Sequence, residues 1–131
     1  MNKRILVIDD DATTCEVIRV ILEDFGFELM SVHDSEQALQ VARDAPPSLI
    51  LLDLSLPDAD ALQLCSMLKR EPSTQDSIVV LMTHPLSEDD LEGVQSSEAD
   101  AQVSKPFSPI GLLAIVQECL QRQGSASSSV A

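Results

Sequence analysis

The stretch SLILLDLSLPD, residues 48–58, joins a strand pattern to a carboxylate. Its residues 49–52 form a continuous aliphatic run, which is typical of a strand buried on both faces in a parallel sheet. Asp53 follows this run without a break. Because ligand sites of open parallel sheets lie beyond the carboxyl ends of the strands, we expect Asp53 at such a site. The stretch therefore predicts an α/β fold with functional chemistry at one edge of its sheet.

Four further strand candidates are separated from this one and from each other by segments with helical spacing. They are RILVI from Arg4, FELMSV from Phe27, SIVVLM from Ser77 and the weaker AQVS from Ala101. Alternating strands and helices are typical of βαβ units, which build one parallel sheet covered by helices on both faces. The sequence predicts a doubly wound α/β fold with a five-stranded parallel sheet.

The helix boundaries carry their own signals. Asp34 followed by Gln37 resembles a capping box at the start of the second helix. The last helix begins with Ser108 as N-cap and Pro109 at the first helical position. Gly26 stands where the C-terminal cap of the first helix is expected. Five apolar residues of that first helix are predicted to share one face: Val17, Ile18, Ile21, Leu22 and Phe25.

The length of 131 residues suits one compact domain. We expect this domain to cover residues 1–123. Residues 124–131, GSASSSVA, have the composition of a flexible C-terminal tail. With 44% hydrophobic residues, three Phe and no Trp or Tyr, the core is expected to be aliphatic.

The charge of the chain excludes several classes of partner. A formal net charge of -14 repels phosphate backbones and anionic membrane surfaces, so direct nucleic-acid binding is not expected. No apolar run is long enough for membrane insertion. Three widely spaced cysteines, Cys15, Cys65 and Cys119, argue against a disulfide framework and for a reducing, cytoplasmic location. Four glycines without a phosphate-cradling cluster argue against P-loop or Rossmann nucleotide binding.

Four of the predicted strands end in polar residues that are able to take part in one site. In chain order these are Asp9, Asp10 and Asp11, then Asp53, then Thr83, then Lys105. Carboxylates held close together repel one another unless a hard cation lies between them, and oxygen ligands with open positions suit Mg²⁺. A lysine and a hydroxyl at the same edge supply donors for a phosphoryl group. The pattern predicts an aspartate that is phosphorylated with the help of a metal.

Four motifs resemble the receiver domains of two-component response regulators, the CheY-like branch of the flavodoxin-like fold. They are ILVIDDD, LLDLSLPDAD, VVLMT and VSKPF, and they occur in the order and spacing of that family. The resemblance covers the chain up to its tail. It implies a phosphoprotein that carries an aspartyl phosphate and takes its phosphoryl group from a sensor histidine kinase or exchanges it with a histidine phosphotransfer protein.

The resemblance also implies a role for each site residue. Asp53 is the expected phosphoacceptor. Asp10, Asp53 and the backbone carbonyl of Ser55 are expected to bind Mg²⁺ directly, and Asp9 through water. Asp11, nearest the first helix, is instead interpreted as a charge that favours the start of that helix.

The switch residues match the family in part. Lys105 is expected to neutralise phosphoryl oxygens, and Thr83 to move its hydroxyl onto the phosphate. Pro106 is expected to follow a cis peptide bond. Gln102 occupies the switch position that is usually aromatic, and His84, after Thr83, stands where the family usually has a small residue.

The leading hypothesis is a stand-alone receiver, not an enzyme, that signals by docking onto an unknown downstream protein. Docking is expected through the fourth helix, the fifth strand and the fifth helix, and the apolar face of the last helix allows a homodimer. Gln102 and His84 favour an alternative, a degenerate receiver that binds proteins without phosphorylation.

A third hypothesis is a phosphatase similar to the haloacid-dehalogenase superfamily. DDDAT fits the first motif of that superfamily, with Asp9 as nucleophile and Asp11 as acid/base. A later acidic pair should follow the lysine there, whereas Asp89 and Asp90 precede Lys105. The chain is also short for that fold.

Overall fold

The structure is a computed structural model that describes the backbone of residues 3–130 and the side chains of residues 3–122. Within this described part, five strands and five helices alternate along the chain. They are β1 (Arg4–Ile8), α1 (Ala12–Glu23), β2 (Glu28–Val32), α2 (Ser35–Asp44), β3 (Leu49–Asp53), α3 (Ala61–Arg70), β4 (Ile78–Thr83), α4 (Glu88–Gln95), β5 (Ala101–Ser104) and α5 (Pro109–Val130). The tail predicted for residues 124–131 lies outside the residues whose side chains are described, and it stays a prediction.

The five strands form one parallel sheet in the order β2-β1-β3-β4-β5, which confirms the predicted fold class. The chain moves from β1 outward to β2 and then returns past β1 to β3. This reversal makes the gap between the carboxyl ends of β1 and β3 the topological switch point, where doubly wound sheets bind ligands. Among the described residues, no helix is both long and apolar enough to cross a membrane.

The core consists of two apolar layers, one on each face of the sheet. Ile50 and Leu52 of β3 pack into the layer that contains α2, α3 and α4. Leu49 and Leu51 alternate with them and pack into the layer of α1 and α5. All four side chains are fully buried. The uninterrupted aliphatic run of β3 is therefore explained by two covered faces, and it gives the residue that follows a rigid support.

The apolar residues predicted to share one face of α1 divide between core and surface. Ile18 and Leu22 are fully buried, whereas Val17 is 46% exposed and Phe25 is 55% exposed. The third buried position of α1 is Cys15, so the inward line follows the i, i+3, i+7 spacing of a helix. Val17 lies beside that line, and Phe25 lies beyond the last helical residue, which makes the prediction of a single five-residue face wrong.

The predicted N-caps Asp34 and Ser108 are confirmed, Asp11 caps α1 as well, and the C-cap of α1 is Asp24 rather than Gly26. The side chains of Asp11 and Asp34 accept hydrogen bonds from the first-turn amides of α1 and α2. Ser108 Oγ accepts from the amide of Gly111 at the start of α5. Gly26 follows α1 with φ at +85°, a backbone conformation that glycine adopts without strain.

Candidate functional site

The carboxyl edge of the sheet gathers the polar residues predicted from the strand ends. β1 is followed directly by Asp9 and Asp10, β3 ends at Asp53, β4 ends at Thr83, and Lys105 follows β5. Asp9, Asp53 and Thr83 are almost completely buried, whereas Asp10 is exposed. Because all five strands are parallel, these side chains meet at one edge.

Three carboxylates form the centre of the site. One oxygen from each of Asp9, Asp10 and Asp53 lies within 4.8 Å of the other two. Two of these carboxylates are buried and one faces solvent, so the cluster is partly enclosed and keeps an open side. A small hard cation with several water ligands, such as Mg²⁺, fits this set of oxygen donors.

Lys105 reaches across the sheet to the same carboxylates. Its Nζ donates to Asp9 Oδ2 at 2.7 Å and lies 3.5 Å from Asp53 Oδ1. The backbone amide of Lys105 donates to the carbonyl of Thr83, and the Lys105–Pro106 peptide is cis, as predicted. Burial alone would lower the pKa of Lys105, but the hydrogen bond to Asp9 and the charges of Asp53 and Asp9 raise it overall. The ammonium is therefore held charged beside the carboxylates.

The site favours the charged form of Lys105 but disfavours the charged form of Asp53. Burial raises the pKa of Asp53, and the nearby charge of Asp9 adds to this rise. The amide of Ser55 donates to Asp53 Oδ1 at 3.1 Å and acts in the opposite direction, as does Lys105. The net direction is upward, so ionised Asp53 gains from any added positive charge at the site.

Two side chains that the sequence did not assign to the site hold the backbone of Asp9. His33 Nδ1 lies 3.0 Å from the carbonyl oxygen of Asp9, and Cys15 Sγ donates to the same oxygen at 3.6 Å. His33 comes directly after β2, so it lies at the carboxyl end of a strand, as the other site residues do. That shared position is the signal by which His33 could have been found.

The residues around the phosphate-contact position form an open cleft. His84 is exposed and lies with Lys105, Phe107 and Val17 around a cavity of about 330 Å³ between α1 and the β5–α5 connection. Gln102 is exposed on β5. The structure therefore brings together Asp9, Asp10, Asp53 and Lys105 around one centre and leaves Gln102 on the surface of an edge strand.

Comparisons with known proteins agree with this geometry. The family described as "Response regulator receiver domain" matches residues 5–117. The phosphate regulon transcriptional regulatory protein PhoB of Pseudomonas aeruginosa is 37% identical over 129 residues, which are 98% of this chain and 56% of that protein. The DNA-binding response regulator MtrA of Mycobacterium tuberculosis is 37% identical over 122 residues, 93% of this chain and 52% of that protein. The chain thus spans about half the length of these curated relatives.

Solved structures show the same architecture. A CheY-like response regulator receiver domain protein from Methanospirillum hungatei superposes with a TM-score of 0.88 at 26% identity, covering 96% of this chain and 99% of that one. A putative response regulator from Chloroflexus aurantiacus gives a TM-score of 0.86 at 26% identity, with 92% and 99% of the two chains covered. With its sheet order and its family match over residues 5–117, the chain belongs to the response regulator receiver domains of two-component signalling.

Proposed function

We propose that Asp53 accepts a phosphoryl group from a histidine kinase or a histidine phosphotransfer protein, with Mg²⁺ bound at the carboxylate cluster. The observation that carries this proposal is the convergence of three carboxylates within 4.8 Å and of Lys105 at 2.7 Å from Asp9. An acidic metal site next to a fixed ammonium matches what phosphoryl transfer needs, which is positioning and charge neutralisation.

The residues of the chain supply the positioning. Ser55 N–H and Lys105 both approach Asp53 Oδ1, which fixes the carboxylate and leaves Oδ2 as the oxygen that attacks phosphorus. The new O–P bond forms as the P–N bond to the donor histidine breaks, and the departing imidazole takes up a proton. Lys105 then neutralises phosphoryl oxygens, and Thr83 contributes its hydroxyl.

The metal would be held by Asp10, Asp53 and the Ser55 carbonyl, with Asp9 joined through water. When bound, it supplies positive charge that offsets the charge of the transferring phosphoryl group. The exposed position of Asp10 supports access of a hydrated ion from solvent.

The direct test is the intact mass of the protein after incubation with Mg²⁺ and acetyl phosphate, a phosphoramidate, or a phosphorylated histidine kinase. The wild type should gain one phosphoryl group, and Asp53→Asn should gain none. Asp11→Asn is the matched control, because Asp11 caps α1 with its side chain and lies next to the cluster without belonging to it. Phosphorylation of Asp53→Asn at the wild-type rate would overturn the proposal.

We propose further that the receiver acts as a cytoplasmic switch rather than as an enzyme, and that it docks onto another protein through α4, β5 and α5. The formal charge of -14 supports protein docking over nucleic-acid binding, and the free, buried cysteines support a reducing compartment. A homodimer through α5 belongs to the same proposal. The molecular mass of the protein and of its complexes from its native source tests the homodimer and the association with another protein.

The residue types of Gln102 and His84, which depart from the family pattern, favour a second candidate, a receiver that binds its partner without phosphorylation. β5 has no aromatic residue. The inward turn of an aromatic side chain that usually accompanies activation in the family therefore cannot occur on this strand. If a partner captured by the wild type binds Asp53→Asn equally well, in the presence and absence of a phosphoryl donor, the second candidate is correct. Dependence of binding on the donor and on Asp53 would support the first.

A further inference from the structure

Two aspartates cap the N-terminus of α2, and they come from different parts of the chain. Asp34, the N-cap residue, accepts from the amide of Gln37 at 2.8 Å. Asp58 reaches the same helix end from the loop after β3. Its Oδ2 accepts two hydrogen bonds, from the amide of Ser35 at 3.0 Å and from Ser35 Oγ at 2.8 Å. The second cap therefore joins two segments that lie 23 residues apart.

The loop that carries Asp58, residues 54–60, also carries the predicted metal-binding carbonyl of Ser55. Its start is fixed by the hydrogen bond from the amide of Leu54 to the carbonyl of Met82. Its end is fixed by Asp60, the N-cap of α3. The hydrogen bonds of Asp58 add an attachment toward α2, on the side of the sheet where β1 and β2 lie.

The segment to which Asp58 attaches is itself fixed to the end of β1. The amide of Asp9 donates to the carbonyl of Val32, and His33 lies 3.0 Å from the carbonyl of Asp9. Ser35 follows His33 by two residues. A continuous path of chain and hydrogen bonds thus runs from Asp9 through His33, Ser35 and Asp58 to Ser55 and Asp53. Its two ends are two of the three carboxylates of the metal cluster.

We infer that Asp58 is a positioning residue for the divalent cation, which it influences through Ser35 by fixing the loop of Ser55 relative to the end of β1. This inference rests on the proposed function, since it deepens the metal site. Without the bonds of Asp58, the loop keeps its two ends and the buried side chain of Leu56 but loses its hydrogen bonds to the segment that supports Asp9. The oxygens contributed from the two sides of the site are then less well fixed relative to one another, and cation affinity falls.

The test is a Mn²⁺ titration of the full chain, with free Mn²⁺ measured by its EPR signal, so that the readout is independent of phosphorylation. Asp58→Ala is expected to weaken Mn²⁺ binding about fivefold. Removal of a group that directly orients a metal ligand typically costs about 10- to 100-fold, and Asp58 acts one step further away. Asp58→Asn keeps an acceptor oxygen for both bonds of Ser35 and is expected to restore an affinity close to that of the wild type.

Asp34→Ala is the matched control. It also removes a cap of α2, and it is expected to lower the melting temperature as Asp58→Ala does, but it leaves the loop attached. If Asp34→Ala weakens Mn²⁺ binding as much as Asp58→Ala, the effect is general destabilisation of α2 and the inference is overturned. If Asp58→Asn binds as weakly as Asp58→Ala, the charge of Asp58 and not its hydrogen bonds matters, which also overturns it.

Failure of the inference is separable from failure of the proposed function. A wild type that binds Mn²⁺ but gains no phosphoryl group at Asp53 would overturn the function and leave the role of Asp58 standing. A phosphorylated wild type whose Asp58→Ala variant has unchanged Mn²⁺ affinity would overturn the role of Asp58 alone. A wild type without measurable Mn²⁺ binding would overturn both the metal site and the inference.

Discussion

At the scale of single residues, Asp53 is placed for the chemistry of the site in an environment that disfavours its ionised form in the folded protein. Burial and the charge of Asp9 raise its pKa above the ordinary value of 3.8. A carboxyl group with a raised pKa takes up protons when the chain folds. Its favourable contribution to the free energy of unfolding is therefore complete at a pH below its pKa in the unfolded chain. That contribution is lost as the pH rises through its pKa in the folded protein. At neutral pH without metal, ionised Asp53 should destabilise the protein.

Asp53→Asn is accordingly expected to be more stable than the wild type at pH 7 in the absence of divalent ions. The asparagine keeps an oxygen that accepts from Ser55 N–H but carries no charge to repel Asp9. The difference in unfolding free energy should grow as the pH rises above 3.8 and level off once Asp53 is fully ionised. Urea unfolding of both proteins between pH 3.5 and about 7.5 measures it. A variant less stable than the wild type at every pH would contradict the expected repulsion.

The neighbours of Asp53 also predict how long its phosphorylated form lasts. Ser55 and Pro85, two residues beyond Asp53 and Thr83, offer no carboxylate or amide side chain that orients a water molecule. Hydrolysis should therefore not be especially fast, and Ser55→Asn should speed it up several-fold. The decay of the phosphorylated mass after removal of the donor gives both lifetimes. A wild-type lifetime of seconds would count against this expectation.

At the scale of helices and strands, α3 is attached to the start of β5 and to β4 by two ion pairs of different character. Lys69 Nζ donates to Asp100 Oδ2 at 2.9 Å, and the same oxygen accepts from the buried amide of Val79 at 2.8 Å. Glu98 accepts from Arg70 and Ser66 at the surface. These contacts attach the segment before β5 to the end of α3.

Asp100→Ala should cost about 2 kcal/mol, because it leaves the amide of Val79 without its acceptor inside the sheet and removes one of the two acceptors of Lys69 Nζ, the other being the carbonyl of Ser77. Glu98→Ala, the control on the same loop, removes only exposed contacts and should change stability little. Urea unfolding at pH 7 compares them. Equal losses of unfolding free energy in the two variants would contradict this prediction. They would show that the hydrogen bond from the Val79 amide to Asp100 does not stabilise the connection more than the surface contacts of Glu98 do.

The sequence predicted the elements that have a strong local pattern. The aliphatic run of β3, the cap residue Asp34 and the turn glycine Gly26 each depend on nearby residues, so their signals are visible in the chain. The contact of His33 with Asp9 and the bonds of Asp58 to Ser35 were not predicted, because residues 23 or 24 positions apart meet only after the sheet has formed. The partial exposure of α1 likewise depends on where α5 and β2 pack against it.

At the scale of the whole molecule, charge and topology act on the same place. The formal charge is -14, and the switch point between β1 and β3 concentrates three carboxylates of that excess around one centre. Lys105 offsets part of this local charge. General repulsion should weaken with any salt, because dissolved ions screen exposed charges, whereas the central cluster should respond to a divalent ion that fits between its oxygens.

The two effects are separable by thermal unfolding. NaCl should raise the melting temperature of wild type and Asp53→Asn by similar amounts, since screening acts on the whole surface. Mg²⁺ at the same ionic strength should add about 1.4 kcal/mol to the wild type once its concentration is about ten times its dissociation constant. For a domain of this size that is a further rise of about 5 °C. Asp53→Asn has lost one charged ligand and should show a clearly smaller rise. An equal rise in both proteins would mean that Mg²⁺ acts by screening alone and that the carboxylate cluster is not its binding site.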